Sequence, residues 1–289
     1  METNELLQKV RKIEIKTRGL SKNIFAGEYH SAFKGRGMTF SEVREYQYGD
    51  DIRAIDWNVT ARYNHPYIKV FEEERELTVM LLIDVSGSRD FGTISKLKKN
   101  QITEIAAVLS FSAIQNNDKI GVVFFSDTIE KFIPPKKGKK HILHIIRELI
   151  NFKPTSRKTD VTNALRYVTN VIKKRSTAFI ISDFMDDDFS DALTIASKKH
   201  DMMALKVYDK RETELPNIGI MKLRDAETDE DVWVDTSDSF VRNQYAKFWK
   251  DKELEHKEIF YRSGVDFAKV RTDEDYVRTL INLFKRRGA

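Results

Sequence analysis

The feature that most constrains this chain is Thr78-Val79-Met80-Leu81-Leu82-Ile83, an unbroken apolar run that stops at Asp84. A strand with one wet face alternates apolar and polar residues. A run without alternation belongs to a strand covered on both faces, as in parallel α/β sheets. Ala178-Phe179-Ile180-Ile181 repeats the pattern and stops at Ser182-Asp183. Residues 120–125 and 128–133 read as two further strands joined at Ser126-Asp127, and 203–208 and 265–270 as two more. Between them lie stretches of helical period. Ile102, Ile105, Ala106, Leu109 and Ala113 mark one, and residues 140–150 another. Val161, Ala164, Leu165, Val168, Val171 and Ile172 mark a third, and residues 189–200 a fourth. Strands alternating with helices predict an α/β fold, with a mostly parallel sheet flanked by helices on both faces. A hairpin is expected over 218–235, turning near 227–230. A helix over 238–262, the last strand and a final helix over 273–287 follow it.

The rest of the chain sets boundaries on this reading. Residues 1–18 carry Leu6, Leu7, Val10 and Ile13 at helical spacing, and residues 19–77 predict loops and short strands. The expected division is an N-terminal extension over 1–76, packed on the core, and the α/β domain over 77–289. The longest uncharged stretch, from Ile105 to Asn117, is shorter than a membrane span and reads as a buried helix. The first twenty residues show no secretory apolar segment. With no membrane insertion expected, the cytoplasm is the default location, or the periphery of membrane complexes. The chain has no cysteine, so disulfides, thiolate metal sites and cysteine nucleophiles are excluded. The net charge of +5 is spread out, and its tightest clusters, at 136–140 and 285–287, read as a solvated loop and a helix end. No basic and aromatic stripe marks a nucleic-acid surface, so no nucleic-acid partner is expected.

Ligands of open α/β sheets bind beyond the carboxyl ends of the strands. Three polar groups fall on that edge: Asp84-Val85-Ser86-Gly87-Ser88, Thr159-Asp160 and Ser182-Asp183. Alternate residues of an extended loop can aim Asp84, Ser86 and Ser88 at one point. Thr159 can add a hydroxyl, and Asp183 can act directly or through water. Hard oxygens of this kind suit Mg²⁺, with Mn²⁺ or Ca²⁺ as alternatives. Taken singly, each residue has an ordinary explanation as a turn residue or helix cap. Taken together on one edge, they predict an ion site. Arg89, Asp160 and Asp186 are candidates for its outer shell or for contact with a partner.

The motif DVSGS after a buried strand, with Thr159 before a helix and Asp183 after a later strand, resembles the metal-ion-dependent adhesion site of von Willebrand factor A domains. Arg157-Lys158 stand where many such domains carry Gly-Gly, and Arg89 stands where Met is frequent. The N-terminal stretch REYQYGDDIRAIDW, together with DVSGS, ISDFMDD and the hairpin, resembles the bacterial domain-of-unknown-function family 58. In that family such a preface precedes a von Willebrand-like domain. The resemblance implies a protein-interaction module. Its members are typically encoded beside MoxR-type AAA+ ATPases and other von Willebrand-like proteins, and are thought to assist the assembly or maturation of other proteins. Within the preface, Arg44, Tyr46, Gly49, Asp50, Asp51, Arg53, Asp56, Trp57 and Arg62 read as structural. Bidentate Arg–Asp pairs with aromatics packed over them, Tyr63 included, would lock it in place.

No catalytic residues are assigned. The competing enzyme reading is a metal-dependent phosphoester hydrolase on the same acidic edge. Against it, DVSGS lacks the second aspartate of the aspartyl-phosphate hydrolases, and no base is evident in sequence near Ser86 or Ser88.

Overall fold

The computed structural model describes residues 39–72, 77–91, 97–186, 188–224 and 229–288. They divide into two compact units, one within residues 34–76 and one from Leu77 onward. The expected helix over 1–18 and the turn residues 225–228 of the hairpin lie outside the described residues.

In the smaller unit, β1 (Thr39–Glu45) pairs antiparallel with β2 (Tyr67–Glu72), and a short helix, α1 (Trp57–Tyr63), lies between them in sequence. The sequence reading expected loops and short strands here and missed the helix. Its start is set by Asp56, whose carboxylate accepts from the backbone N–H groups of Asn58 and Val59. Asp51 does the same for a 3₁₀ turn over Ile52–Ala54. Arg44 and Asp50 form the expected bidentate pair, at 2.9 and 2.7 Å. Gly49 has φ +107°, a conformation that L side chains rarely adopt, so a glycine is required there. The aromatic lid is a correction. Trp57 and Tyr63 are exposed, and Tyr63 meets Tyr67 at a tilt, with ring centroids 5.6 Å apart, instead of covering ion pairs.

The larger unit is built on a six-stranded sheet. Its strands are β3 (Thr78–Asp84), β4 (Lys119–Phe125), β5 (Ile129–Lys136), β6 (Thr177–Ser182), β7 (Asp201–Tyr208) and β10 (Asp266–Arg271). Their spatial order is β10-β7-β6-β3-β4-β5. All neighbours are parallel except β4 and β5, which form a hairpin that places β5 at the edge. The helices are α2 (Lys98–Gln115), α3 (Lys139–Asn151), α4 (Val161–Val171), α5 (Ser190–Lys199), α6 (Lys210–Thr213), α7 (Ser239–Arg262) and α8 (Tyr276–Gly288). A separate hairpin pairs β8 (Ile220–Arg224) with β9 (Asp231–Asp235). Strand and helix expectations from Thr78 onward were met within a few residues, except that the one-turn helix α6 had no periodic signal.

The unalternating run of β3 is explained by its central place. Successive side chains of a strand point to opposite faces. Val79, Leu81 and Ile83 enter a core layer with residues of α2, α3 and α8, while Met80 and Leu82 enter one with residues of α4, α5 and α7. Both sets are fully buried. On β4 the packing leaves no room at Gly121. A Cβ there would lie 2.8 Å from Met80 Sδ and 2.9 Å from the Pro135 nitrogen. Gly121→Ala is therefore expected to cost about 1–3 kcal/mol of stability in chemical denaturation, the usual cost of overpacking. An unchanged midpoint would refute the close fit.

Candidate metal and docking site

In chain order the sheet strands β3, β4, β5, β6, β7 and β10 are first to sixth, and their spatial order runs 3-2-1-4-5-6 from the β5 edge. The order of the strands therefore reverses between β3 and β6. Such a switch point opens a crevice outside the carboxyl ends of the strands, where α/β proteins bind their ligands. Asp84 ends β3, and Ser182-Asp183 ends β6, directly across the crevice.

The structure brings the predicted residues to this edge. Asp84 is 3% exposed, and its two oxygens take different donors. Oδ1 accepts from the Ser86 backbone N–H at 2.9 Å, and Oδ2 accepts from Ser182 Oγ at 2.6 Å. Burial, then the neighbouring charge of Asp183, pushes its carboxyl up to about 6. Ser86 and Ser88 place their hydroxyl oxygens 3.3 Å apart, with Gly87 between them. The Gly87 N–H donates to the Arg157 carbonyl at 3.0 Å, which brings the loop before α4 up to the DVSGS turn. Thr159, on that loop, has a buried Oγ1 with no hydrogen-bond partner. An orphaned buried hydroxyl carries a desolvation cost of about 1–3 kcal/mol, so a position of this kind calls for a ligand.

The neighbouring candidates divide by role. Asp160 caps α4 by accepting from Asn163 N–H at 2.7 Å. Asp186 reaches the same helix start from the β6 side and accepts from Val161 N–H at 2.8 Å. Both carboxylates are thus engaged with helix N–H groups. Arg89 is 2% exposed and donates to the Phe152 carbonyl at 2.6 Å, so it offers no surface to a partner. Arg157, in the place of the first glycine, pairs with Asp229 of the β8–β9 hairpin at 2.7 Å, both side chains being half exposed.

Asp183 is 6% exposed, and its Oδ1 accepts from the Met185 N–H at 3.3 Å. Its Oδ2 receives the ammonium of Lys98 at 2.8 Å, and that ammonium also donates to Glu212 Oε1 at 2.7 Å. Sequence reasoning placed Ser182 on this edge without giving it a role, and missed Lys98 and Glu212 altogether. Lys98 sits in the run Lys96-Leu97-Lys98-Lys99, where nothing marks it out. A faint signal existed, since a lysine opening a helix stands at the wrong end of the helix dipole and needs compensation. After Asp183 the chain turns through Phe184 at φ +58°, a left-handed conformation that is strained for a bulky residue. Phe184 is fully buried and packs edge-on against Phe260 at 5.0 Å and near Phe189 at 5.7 Å, which holds the turn in place.

Among the described residues, no group of three or more His, Asp or Glu side chains gathers at one point. The available donors are two carboxylates and three hydroxyls. That set fits a hard ion which keeps several waters, as Mg²⁺ does. It does not fit zinc, which takes His and Cys ligands.

The strand order, the antiparallel edge strand and the loops meeting at the switch point define a von Willebrand factor A-like α/β protein. The family model described as protein of unknown function DUF58 matches residues 42–255, and the chain belongs to that family. The chain is similar to the uncharacterized protein Rv1480 of Mycobacterium tuberculosis, 27% identical over 290 residues, covering 99% of this chain and 91% of that one. Among solved structures it is similar to an aerotolerance-related membrane protein from Bacteroides fragilis, with a TM-score of 0.51 and 14% identity over 73% of this chain and 98% of that one. The VWA domain of SpRpn10 aligns with a TM-score of 0.41 and 10% identity, over 73% of this chain and 95% of that one. Among the described residues, no helix is long and apolar enough to cross a membrane.

Proposed function

We propose that this edge is a divalent-cation site, for Mg²⁺ or else Mn²⁺ or Ca²⁺, at which the protein captures a carboxylate of a protein partner without chemical turnover. The observation that carries the reading is the orphaned hydroxyl of Thr159, buried on the loop whose Arg157 carbonyl accepts from Gly87 N–H of the DVSGS turn. Asp84 and the three hydroxyls would hold the ion, with Asp183 joining directly or through water. When bound, the ion would supply one coordination position to an incoming carboxylate. The chain's own residues supply the rest of the specificity. A donor set low in negative charge leaves an ion short of anionic ligands, which is what makes an external carboxylate welcome.

The hydrolase reading has less support. The hydroxyls of Ser86 and Ser88 lie against each other. The carboxylate of Asp183 is held below its usual range by the Lys98 ammonium despite burial, and is therefore a weak base. On family resemblance, the partner is a MoxR-type AAA+ ATPase or another von Willebrand-like protein. The setting is the cytoplasm or the edge of a membrane complex, and the process is assembly or maturation of other proteins.

Thermal unfolding with and without MgCl₂ tests the ion. At ten times Kd the parent should gain about 1.4 kcal/mol, and Asp84→Ala should gain nothing. Pull-down of the ATPase tests the docking. Parent protein should retain it in Mg²⁺ and release it in EDTA, and Asp84→Ala should fail to retain it while remaining folded. Equal retention by both proteins, with EDTA present or absent, would sink the reading.

A further inference from the structure

Lys98 is the first residue of α2 and is 1% exposed. Burial acts to lower its ammonium pKa, but the carboxylates of Asp183 and Glu212 outweigh it and hold the group charged. Glu212 is itself fixed. Its Oε2 accepts from Asp209 N–H at 2.8 Å in the capping box of α6, and its backbone carbonyl accepts from Tyr245 Oη at 2.8 Å. The ammonium is therefore locked in position on Asp183. A second cation stands behind it. Lys206 is buried on β7, 3.1 Å from His256 Nδ1, and its charge also acts on Asp183. The two carboxylates of the crevice are thus unlike. Asp183 is matched by an ammonium at contact distance, whereas the donors bonded to Asp84 are a backbone N–H and a hydroxyl, both neutral.

Resting on the divalent-site reading above, we propose that Lys98 sets the strength of the ion site: it neutralises Asp183, leaves Asp84 as the one uncompensated carboxylate among the candidate ligands, and keeps the ion weakly held while the chain is alone. Lys98 is a positioning residue in this account, since its ammonium touches Asp183 and not the ion. The physical basis is Coulombic. A charge a few ångströms from a divalent ion in a crevice of low polarity acts strongly on it, and removing a like charge there strengthens binding. A purely structural Lys98, pinning α2 to α6, would alter folding stability and leave ion affinity unchanged.

The test is Mn²⁺ binding to the full chain, measured by calorimetry or by the loss of free Mn²⁺ signal in electron paramagnetic resonance. The double variant Lys98→Met/Glu212→Gln removes one cation and one anion together, so the overall charge is kept while Asp183 loses its ammonium. It should bind Mn²⁺ about tenfold more tightly than the parent, or better. Lys98→Gln, which keeps hydrogen-bond donors for both carboxylates, should move in the same direction and provides the readout should the double variant not fold. Lys98→Arg keeps the charge and should restore the parent affinity. Equal or weaker Mn²⁺ binding in folded neutral variants would overturn the role of Lys98 while leaving the ion site standing. Absence of Mn²⁺ binding in every protein, parent included, would overturn both.

Discussion

Lys98→Met is expected to lower the stability of the protein by about 3–5 kcal/mol, the usual cost of removing one partner from a buried ion pair. The geometry explains the size. Asp183 and Glu212 both point at the Lys98 ammonium, at 2.8 and 2.7 Å, and their side chains are 5% and 14% exposed. Without the ammonium, two carboxylates face each other where water has little access. Burial already pushes the Glu212 carboxyl above its usual range with the lysine in place. In the variant it should take up a proton, and that limits the loss. Chemical denaturation at pH 7 measures the effect, and Lys98→Met/Glu212→Gln should recover part of it by removing one of the stranded charges. A single variant as stable as the parent would mean that the triad is solvated in solution.

Acidification from pH 6.5 to 4.5 is expected to cost on the order of 2 kcal/mol for each of two buried histidines. His256 is pushed down to about 4 by burial and then by Lys206. His200 is pushed down to about 4 by burial and then by the charges of Lys199 and Arg175. The unfolded chain takes up protons on these side chains near pH 6.5, and the folded chain does not until about pH 4. Their contribution is therefore whole above pH 6.5, falls through the interval and levels off below pH 4. The Ser176 backbone N–H points at His200 Nδ1 at 3.3 Å, as a neutral ring requires. Asp84 works in the opposite sense. Its raised carboxyl gains a proton near pH 6 in the folded state, so it offsets part of the loss as the pH falls toward 3.8. Proton NMR of the imidazole signals separates these contributions. Either ring titrating near pH 6.5 in the folded protein would remove it from the account.

Most of the larger unit could be read from the chain because its signals are local and redundant. The central strands are runs without alternation, and the longer helices repeat their apolar positions over about three turns or more. The short helices resisted. The start of α1 depends on one capping aspartate, and α6 is a single turn whose capping box becomes visible only when Asp209 and Glu212 are seen to close on each other. The aromatic lid over the Arg–Asp pairs of this stretch was not met at Trp57 and Tyr63 for a related reason. Composition places aromatics near ion pairs in sequence, and only the backbone path says where they point.

The candidate site divides in the same way. Asp84, Ser86, Ser88, Thr159 and Asp183 could be nominated from sequence because strand ends in an α/β chain share one edge, and that follows from handed connections alone. The sequence by itself thus determined the sheet, the edge and the oxygen donors gathered on it. The tertiary structure alone decided the charge of that edge. Lys98 and Glu212 are 85 and 29 residues from Asp183 along the chain, and no local pattern encodes their meeting. A buried charge is set by whatever else is packed beside it, and packing over such separations is settled only when the strands and helices have closed on one another.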